Sequence, residues 1–365
     1  MNNQELLVSR NDISKFELST SHIKPLQPGE ILLQINKFGL TTNNVTYAVL
    51  GEEYHYFDFF PTKKKGMAKV NVWGISTIIK SNVTELPVGE KIFGYFPMSQ
   101  YVLMKPFKIT KSFFYEKRDK LPLDMIVYNQ YVRISHDPYY DPRHVDYMLV
   151  FRPLWWTSFC LDDFLNEKRF FDAENVIISS ASSKTAFGFA LMLRRNNRRK
   201  KIIGITSGKN MDFVKSLNLY HVVVNYDHVS ELEQKPSVYV DVAGDDNLGD
   251  TLQSTLGSNL KIRLLAGISH QTTEQRSTKG SEVFFAAPWI DHRRREIGRE
   301  FVRRNVVSWR ALMDNVHEWV DITKGYGSKS VIKAYKSLID GESSPNQGFV
   351  LSMHEKDAED MLSKL

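Results

Sequence analysis

Apolar and polar positions change rhythm near residue 175. Before it, short β-type runs alternate with turn signals: ILLQINKFGL (31–40) behind Pro28-Gly29, VWGISTIIK (72–80), KIFGYFP (91–97) behind Pro87-Val88-Gly89-Glu90, and QYVLMKP (100–106). Two of these runs are entered through Pro and Gly just ahead of an acid, residue chemistry suited to tight turns. Strands this short and this regularly punctuated predict a small β-barrel, not a helical layer.

From Asn175 the order becomes strand, helix, strand, helix: NVIISS (175–180), TAFGFALML (185–193), KIIGITS (201–207), MDFVKSLNL (211–219), HVVVNY (221–226), SVYVDVAG (237–244) and LKIRLLAGIS (260–269). Continuous Val/Ile runs separated by amphipathic helices predict a parallel sheet covered on both faces, the doubly wound nucleotide-binding architecture. After Phe284 a basic helical stretch runs through Arg310, then a helix around Val331 to Leu338, a turn from Gly341 to Gly348 and a last strand, GFVLSM. The segment Phe107 to Phe151 is rich in aromatics and shows no period, so it reads as an insertion between two domains. The expected division is therefore 1–150 with 306–365, carrying the insertion at about 107–151, against a nucleotide-binding domain at 151–305.

A length of 365 residues favours two domains, and 42% hydrophobic content suffices for two cores. No apolar stretch reaches the roughly 20 residues of a membrane helix, and the opening MNNQELLVSRND lacks the apolar core of a secretory signal. No membrane partner and a cytoplasmic location are the expectations. The single cysteine, Cys160, lies in the apolar run Leu154 to Leu161, which excludes an intramolecular disulfide and any zinc site built on several thiolates of this chain. A net charge of +6 raises the question of a polyanionic partner, and RRNNRRKK (194–201) is the densest basic stretch. It lies between a helix pattern and a strand pattern, where a solvated helix end at the negative pole of the macrodipole ranks ahead of nucleic-acid binding. The shorter cluster Lys63 to Lys65 adds nothing to that choice.

Barrel first, nucleotide fold second, closing helix and strand last: this order resembles the medium-chain dehydrogenase/reductase superfamily over nearly the whole chain. PGEILLQINKFGLTTNNVTYAVLGE looks like the early barrel strand and active-site loop of zinc-free quinone and enoyl reductases, and PVGEKIFGYFPMSQYVLMKP like the paired strands completing that barrel. VYVDVAG resembles the fourth nucleotide-domain strand, and SVIKAYKSLIDGESSPNQGFVLSM the C-terminal helix and strand. At finer grain VWGISTIIKSN, FGYFPM, YNQYVR, RPLWWTSFCLDDFL and SSASSKTAFGFA look like a branch known only as a domain of unknown function. The resemblance implies an α/β fold, with a GroES-like β-barrel catalytic domain plus a Rossmann doubly wound parallel sheet. It also implies NADP(H)-dependent hydride transfer to a small carbonyl, enone or quinone-like acceptor; a homodimer is the oligomer to look for.

A dinucleotide turn usually reads G-x-G-x-x-G, so that backbone can approach the pyrophosphate. Here it reads Ala181-Ser182-Ser183-Lys184-Thr185-Ala186, with both early glycines lost. Ser182, Ser183 and Thr185 offer hydroxyl donors and Lys184 a charge, while the competing reading is a nucleotide site that has decayed. After the second strand, Thr206, Ser207, Lys209 and Asn210 contain no acid, which suits a 2′-phosphate more than a ribose hydroxyl. Ser207 or Asn210 equally suits a helix cap. The resemblance puts Asp241, Gly244 and Gly267 near the nicotinamide ribose and ring, although Asp and Gly after a strand also make ordinary turns.

The stretch from Leu40 to Tyr47 (LTTNNVTY) has no soft zinc ligand, and Gly66-Met67 stands where a His-Glu pair would be sought. Tyr47 matches the tyrosine of the zinc-free reductases, with Asn43 or Asn44 as a neighbouring donor; a barrel-surface aromatic is the alternative. A second group, Tyr128, Asn129, Tyr131, Arg133, His136 and Asp137, falls in the insertion, from where it could cover a cleft. Arg133 either meets a substrate carboxylate or phosphate or serves as a structural arginine, the latter ranking slightly ahead. Three classes stay open: a reductase, an NADPH-binding or sensing protein without turnover, and a structural descendant with neither.

Overall fold

The computed structural model describes residues 1–118, 123–266 and 280–356. It divides into two units, one of Met1–Val150, Asp321–Ser343 and the chain from Gln347 onward, the other of Phe151–Val320 with Ser344–Asn346.

In unit 1 the chain opens on a hairpin, β1 (Asn2–Ser9) and β2 (Phe16–His22), in antiparallel register. There follow β3 (Ile31–Leu40), α1 (Thr42–Val49), the short β4 (Met67–Ala68) beside β1, β5 (Asn71–Ser81), β6 (Lys91–Pro97) and β7 (Tyr101–Met104). The turn into β3 closes as its residue types dictate: Gly29 takes φ +79° and Glu30 accepts the Gln27 amide at 2.8 Å. β3 is the hub of its sheet, paired with β5 along one edge and with β7 through Ile31–Gln34 on the other. Burial on both faces explains why its sequence is nearly continuous in apolar residues instead of alternating.

The segment expected to be an aperiodic insertion is part of this sheet. β8 (Pro106–Phe107), β9 (Phe113–Glu116) and β10 (Gln130–Arg133) extend it outward from β6. Strands of two to four residues are too short to establish an alternation. Their aromatics pack as core: Phe114 and Tyr131 are fully buried and stack at 5.5 Å between ring centroids.

The chain passes from one unit to the other within α2 (Val145–Glu167). Unit 2 then alternates β11 (Asn175–Ile178), α3 (Lys184–Asn196), β12 (Lys201–Thr206), α4 (Met211–Ser216), β13 (Val222–Asn225), β14 (Ser237–Asp241), α5 (Asp246–Leu256), β15 (Leu260–Leu265) and the short β16 (Glu282–Val283). All pairings are parallel, in the order β13-β12-β11-β14-β15-β16. Counted from β11 this is the 3-2-1-4-5-6 order of a doubly wound dinucleotide fold. Ile177, Ile203, Ile205 and Tyr239 form one core with Leu248, Leu252 and Leu256 of α5.

The basic stretch after Phe284 is two helices, α6 (Ala286–Ile297) and α7 (Arg299–Asn315), broken at Gly298 with φ +56°. α7 belongs to unit 2, so the return falls at 320/321 instead of the expected 305/306. The reason is aromatic packing onto α2: Trp309 meets Trp155, Phe301 meets Phe159, and the Trp155 indole N–H donates to Asn305 Oδ1 at 3.2 Å. A periodic pattern marks a buried face but not the unit into which it is buried. β17 (Asp321–Tyr326), α8 (Gly327–Ile339) and β18 (Gln347–Ser352) complete unit 1, with β18 antiparallel to β3 and α8 burying Val331, Tyr335 and Leu338 in its core.

Candidate functional site

Ligands of open α/β sheets lie beyond the carboxyl ends of the strands, where the strand order reverses. Here that point falls between β11 and β14, and one side-chain pair spans it. Ser179 Oγ donates to Asp241 Oδ1 at 2.7 Å and accepts the backbone N–H of Val242 at 2.9 Å and of Ala243 at 3.1 Å. Asp241 also accepts the N–H groups of Ala243, Gly244 and Asp245 at 2.9–3.1 Å, with Gly244 at φ +73°. Burial raises its carboxyl pKa while these bonds pull it back. Asp241 therefore holds the loop after β14, the turn role its residue type allows.

The turn between β11 and α3 shows how a glycine-poor sequence makes the bend. The left-handed residue is Ser180, at φ +48°, one position before the stretch the sequence pointed to. Its amide donates to Tyr226 Oη at 3.1 Å, and Tyr220 Oη donates to the Ala181 carbonyl at 2.8 Å. Ser183 caps α3 by accepting Ala186 N–H at 3.3 Å. Asn210 Nδ2 reaches across from the end of β12 to Ser182 Oγ at 3.2 Å. Lys184, partly buried, donates to the Pro345 carbonyl at 3.0 Å, and desolvation lowers its pKa to about 8.

At the end of β12, Thr206 is buried. Asn210 is the N-cap residue of α4 but makes no side-chain cap; its amide goes to Ser182. Ser207 is half-buried and Lys209 exposed, and neither side chain has a hydrogen-bond or ion-pair partner among the described residues. Gly267 lies outside the described residues.

In unit 1, Tyr47 on α1 is 5% exposed, so it is not a surface aromatic. Its ring packs on Tyr56 (4.7 Å), Tyr95 (5.4 Å) and Tyr128 (6.0 Å), and its hydroxyl accepts Trp73 Nε1–H at 3.3 Å. The Asn43 amide stands at the same hydroxyl, and burial holds the phenol pKa well above its ordinary value. Tyr56 and Tyr128 share a hydroxyl contact of 3.3 Å, while the fully buried Tyr95 hydroxyl has no hydrogen-bond partner among the described residues. Phenol groups from α1, β6 and two loops thus converge beside one indole.

The other sequence candidates separate. Asn44 is spent on structure: its Oδ1 accepts Thr41 N–H at 2.9 Å and its Nδ2 donates to the Asn71 carbonyl at 3.1 Å. Arg133 is the structural arginine, with Nε on Glu90 at 2.6 Å and Nη1 on the Thr110 carbonyl at 3.2 Å. Asn129 and Tyr131 bind Arg118, whose guanidinium also reaches the Phe59 carbonyl. His136 contacts Ser135, and Asp137 accepts the Tyr139 amide. Of that group only Tyr128 joins Tyr47. Trp73, Tyr56, Tyr95, Ser179 and Ser180 were missed; a Ser-Ser pair ending a buried strand was the one local signal for the last two.

The sequence profile of the family described as "Protein of unknown function (DUF2855)" matches residues 38–344. No curated protein matches the chain. Among solved structures, CurA from Vibrio vulnificus is similar at 14% identity and a TM-score of 0.58, over 97% of this chain and 99% of that one. The same protein in complex with NADPH gives 14% and 0.58, over 96% and 99%. A thermostable alcohol dehydrogenase from Pyrobaculum aerophilum gives 11% and 0.57, over 96% and 100%. At such identities the likeness is one of fold alone, a two-domain α/β fold. Among the described residues no helix is long and apolar enough to cross a membrane.

Proposed function

The chain belongs to the DUF2855 family, and on that premise we propose that it is a zinc-independent, NADP(H)-dependent oxidoreductase acting on a small carbonyl, enone or quinone-like acceptor. The observation that carries this reading is the turn after β11. Without its glycines it still places a left-handed residue, Ser180, ahead of a capped helix whose first turn bears Lys184 and Thr185 and no acid. A decayed turn has no reason to keep that conformation in a residue that resists it. The donor set fits a phosphate-bearing group, and the acid-free end of β12 fits a 2′-phosphate on Ser207 and Lys209. The NADPH complex of the similar Vibrio vulnificus protein supports the same cofactor class.

Bound there, a nicotinamide cofactor supplies or accepts a hydride. The work of this chain is to hold it and to steady the acceptor. Ser182, Ser183, Lys184 and Thr185 would hold the pyrophosphate. Asp241, fixed by Ser179, would keep the loop after β14 in one shape for the ribose. Tyr47, kept protonated by burial, would donate to the developing oxyanion, with Asn43 beside its hydroxyl and Trp73 fixing its orientation. Zinc independence rests on ligand chemistry: Cys160 is buried within α2, and residues 40–47 offer hydroxyls and amides but no thiolate or imidazole.

The test is calorimetric titration of NADPH and NADH, then turnover against an enone and quinone panel. NADPH binding with turnover supports the proposal, and binding with no turnover on any acceptor favours a sensing role. Failure to bind either nucleotide removes the proposal. Stoichiometric zinc lost together with activity on chelation would overturn its zinc-independent form.

A further inference from the structure

The basic run 194–201 has a second face in the folded chain. It spans the end of α3 and the start of β12, at the amino edge of the parallel sheet, opposite the edge that carries Ser179 and Asp241. Lys201 pairs with Glu233 at 3.2 Å and Lys200 donates to the Ala173 carbonyl. Arg194, Arg195, Arg198 and Arg199 are exposed and have no carboxylate partner among the described residues. Arg194 and Arg198, with Asn197 and His221, line a concavity of about 260 Å³. Asn197 is held in place by its amide on the buried Asp162, at 3.0 Å.

His221 shows what the concavity lacks. Its backbone N–H donates to the Ile202 carbonyl at 2.8 Å, and its ring Nδ1 accepts the Ile202 N–H at 2.9 Å. An accepting Nδ1 leaves the ring proton of neutral imidazole on Nε2. Nε2 lies 2.9 Å from Arg194 Nη1, a group that only donates. Two donors face each other, and turning the ring over puts carbon atoms where the nitrogens were, so that neither the Ile202 N–H nor Arg194 meets an acceptor. Protonation offers no relief, because burial, Arg194 and Lys201 all push the His221 pKa down. An acceptor in the concavity toward which both donors turn does relieve it. The dipole of α3 accounts for cations at its end, but not for a histidine held between two donors.

We infer that this concavity binds a small phosphate-class oxyanion, held by His221 Nε2–H and the guanidinium groups of Arg194 and Arg198. Its volume is below the roughly 300 Å³ at which drug-sized pockets begin, which suits a phosphate group and not a dinucleotide. Concave convergence distinguishes it from the extended basic stripe that tracks a nucleic-acid backbone. The assignment stands apart from the oxidoreductase reading and does not depend on it.

The experiment titrates inorganic phosphate into the full chain at low ionic strength and follows the His221 ring by long-range proton–nitrogen NMR, assigned with His221→Gln. The ring should be neutral with its proton on Nε2 and should shift saturably. Arg194→Gln with Arg198→Gln should weaken phosphate by at least about tenfold. Arg195→Gln with Arg199→Gln removes the same charge away from the concavity and should change affinity by less than about threefold. Lys184→Ala, in the turn after β11, should leave the His221 response intact whether or not a nucleotide binds there. No saturable shift, or equal weakening by both arginine pairs, would overturn the assignment. So would displacement of phosphate by a short RNA with a steep salt dependence, which would make the surface a nucleic-acid interface.

Discussion

The turn after β11 and the tyrosine cluster around Tyr47 are built in opposite ways. In the turn, the polar side chains from Ser179 to Thr185 lie within seven residues of one another around one backbone bend; Ser183 caps its own helix, and Asn210, Tyr220 and Tyr226 brace the bend from later in the chain. In the cluster, Tyr47, Tyr56, Trp73, Tyr95 and Tyr128 come from five separate stretches of chain and meet through ring packing. One site is specified by backbone conformation and tolerates new side chains; the other is specified by side chains that must all be present. The first can change its sequence and keep its shape, as the glycine-poor turn does. The second, on the proposed reading, would lose its donor with a single atom.

The sharpest way to break that contrast is Tyr47→Phe. If one hydroxyl is the donor to an oxyanion, kcat should fall by roughly ten- to a thousandfold with NADPH affinity unchanged. Stranding the Trp73 N–H should also cost about 1 kcal/mol of stability, read from urea unfolding. A variant with wild-type kcat on any acceptor that turns over removes Tyr47 from the reaction and turns attention to Tyr128.

Cofactor choice comes next. Charge-assisted contacts from Ser207 and Lys209 to a 2′-phosphate should favour NADPH over NADH by roughly ten- to a hundredfold, and Lys209→Ala should erase much of that ratio. Equal affinities in calorimetry would contradict the reading of the β12 end.

Lys184 ties the turn to pH. Its folded pKa is lowered to about 8 by desolvation, so the ammonium is present below that pH and lost above it. NADPH affinity should therefore decline by up to about tenfold as pH rises through about 8, and Lys184→Ala should flatten the profile. The linkage to stability has the opposite sign. Between about 8 and the ordinary value of 10.5 the unfolded chain binds more protons at this group, so its contribution to stability grows as pH rises. A pH-independent NADPH dissociation constant would separate Lys184 from the phosphates.

The smallest effect expected is Ser180→Gly. Relief of a left-handed serine should stabilise unit 2 by about 1 kcal/mol, partly offset by the greater freedom of glycine in the unfolded chain. A loss of stability would mean that the serine side chain contributes more than its backbone costs.

The contrast also explains what the sequence made legible. The parallel strands of unit 2 were readable because Val/Ile runs bounded by amphipathic helices have few alternative folds. β3 and β6 were readable because Pro, Gly and acid mark their entries. Ser180 was one residue out of reach because a dinucleotide turn is located by its glycines, and here there are none to count. Trp73 and Tyr95 sit inside ordinary apolar strands, where nothing local distinguishes a site residue from core. β8 to β10 were hidden by brevity, and the expected boundary at 305/306 cut through α7 because the Trp309 partner, Trp155, is 154 positions earlier in the chain.

The antiparallel pairing of β18 with β3 joins residues 349–351 to residues 38–40. A ribosome making this chain therefore releases every residue of the continuous Phe151–Val320 stretch before it supplies the partner for one edge of β3. The unit begun first is completed last. Until then the backbone of Phe38–Leu40 is an open strand edge, the kind that recruits other chains. Nascent chains stalled at residue 320 should accordingly be protease-resistant across the parallel sheet and sticky near their beginning, so the interval most exposed to aggregation is set by the length of the other unit.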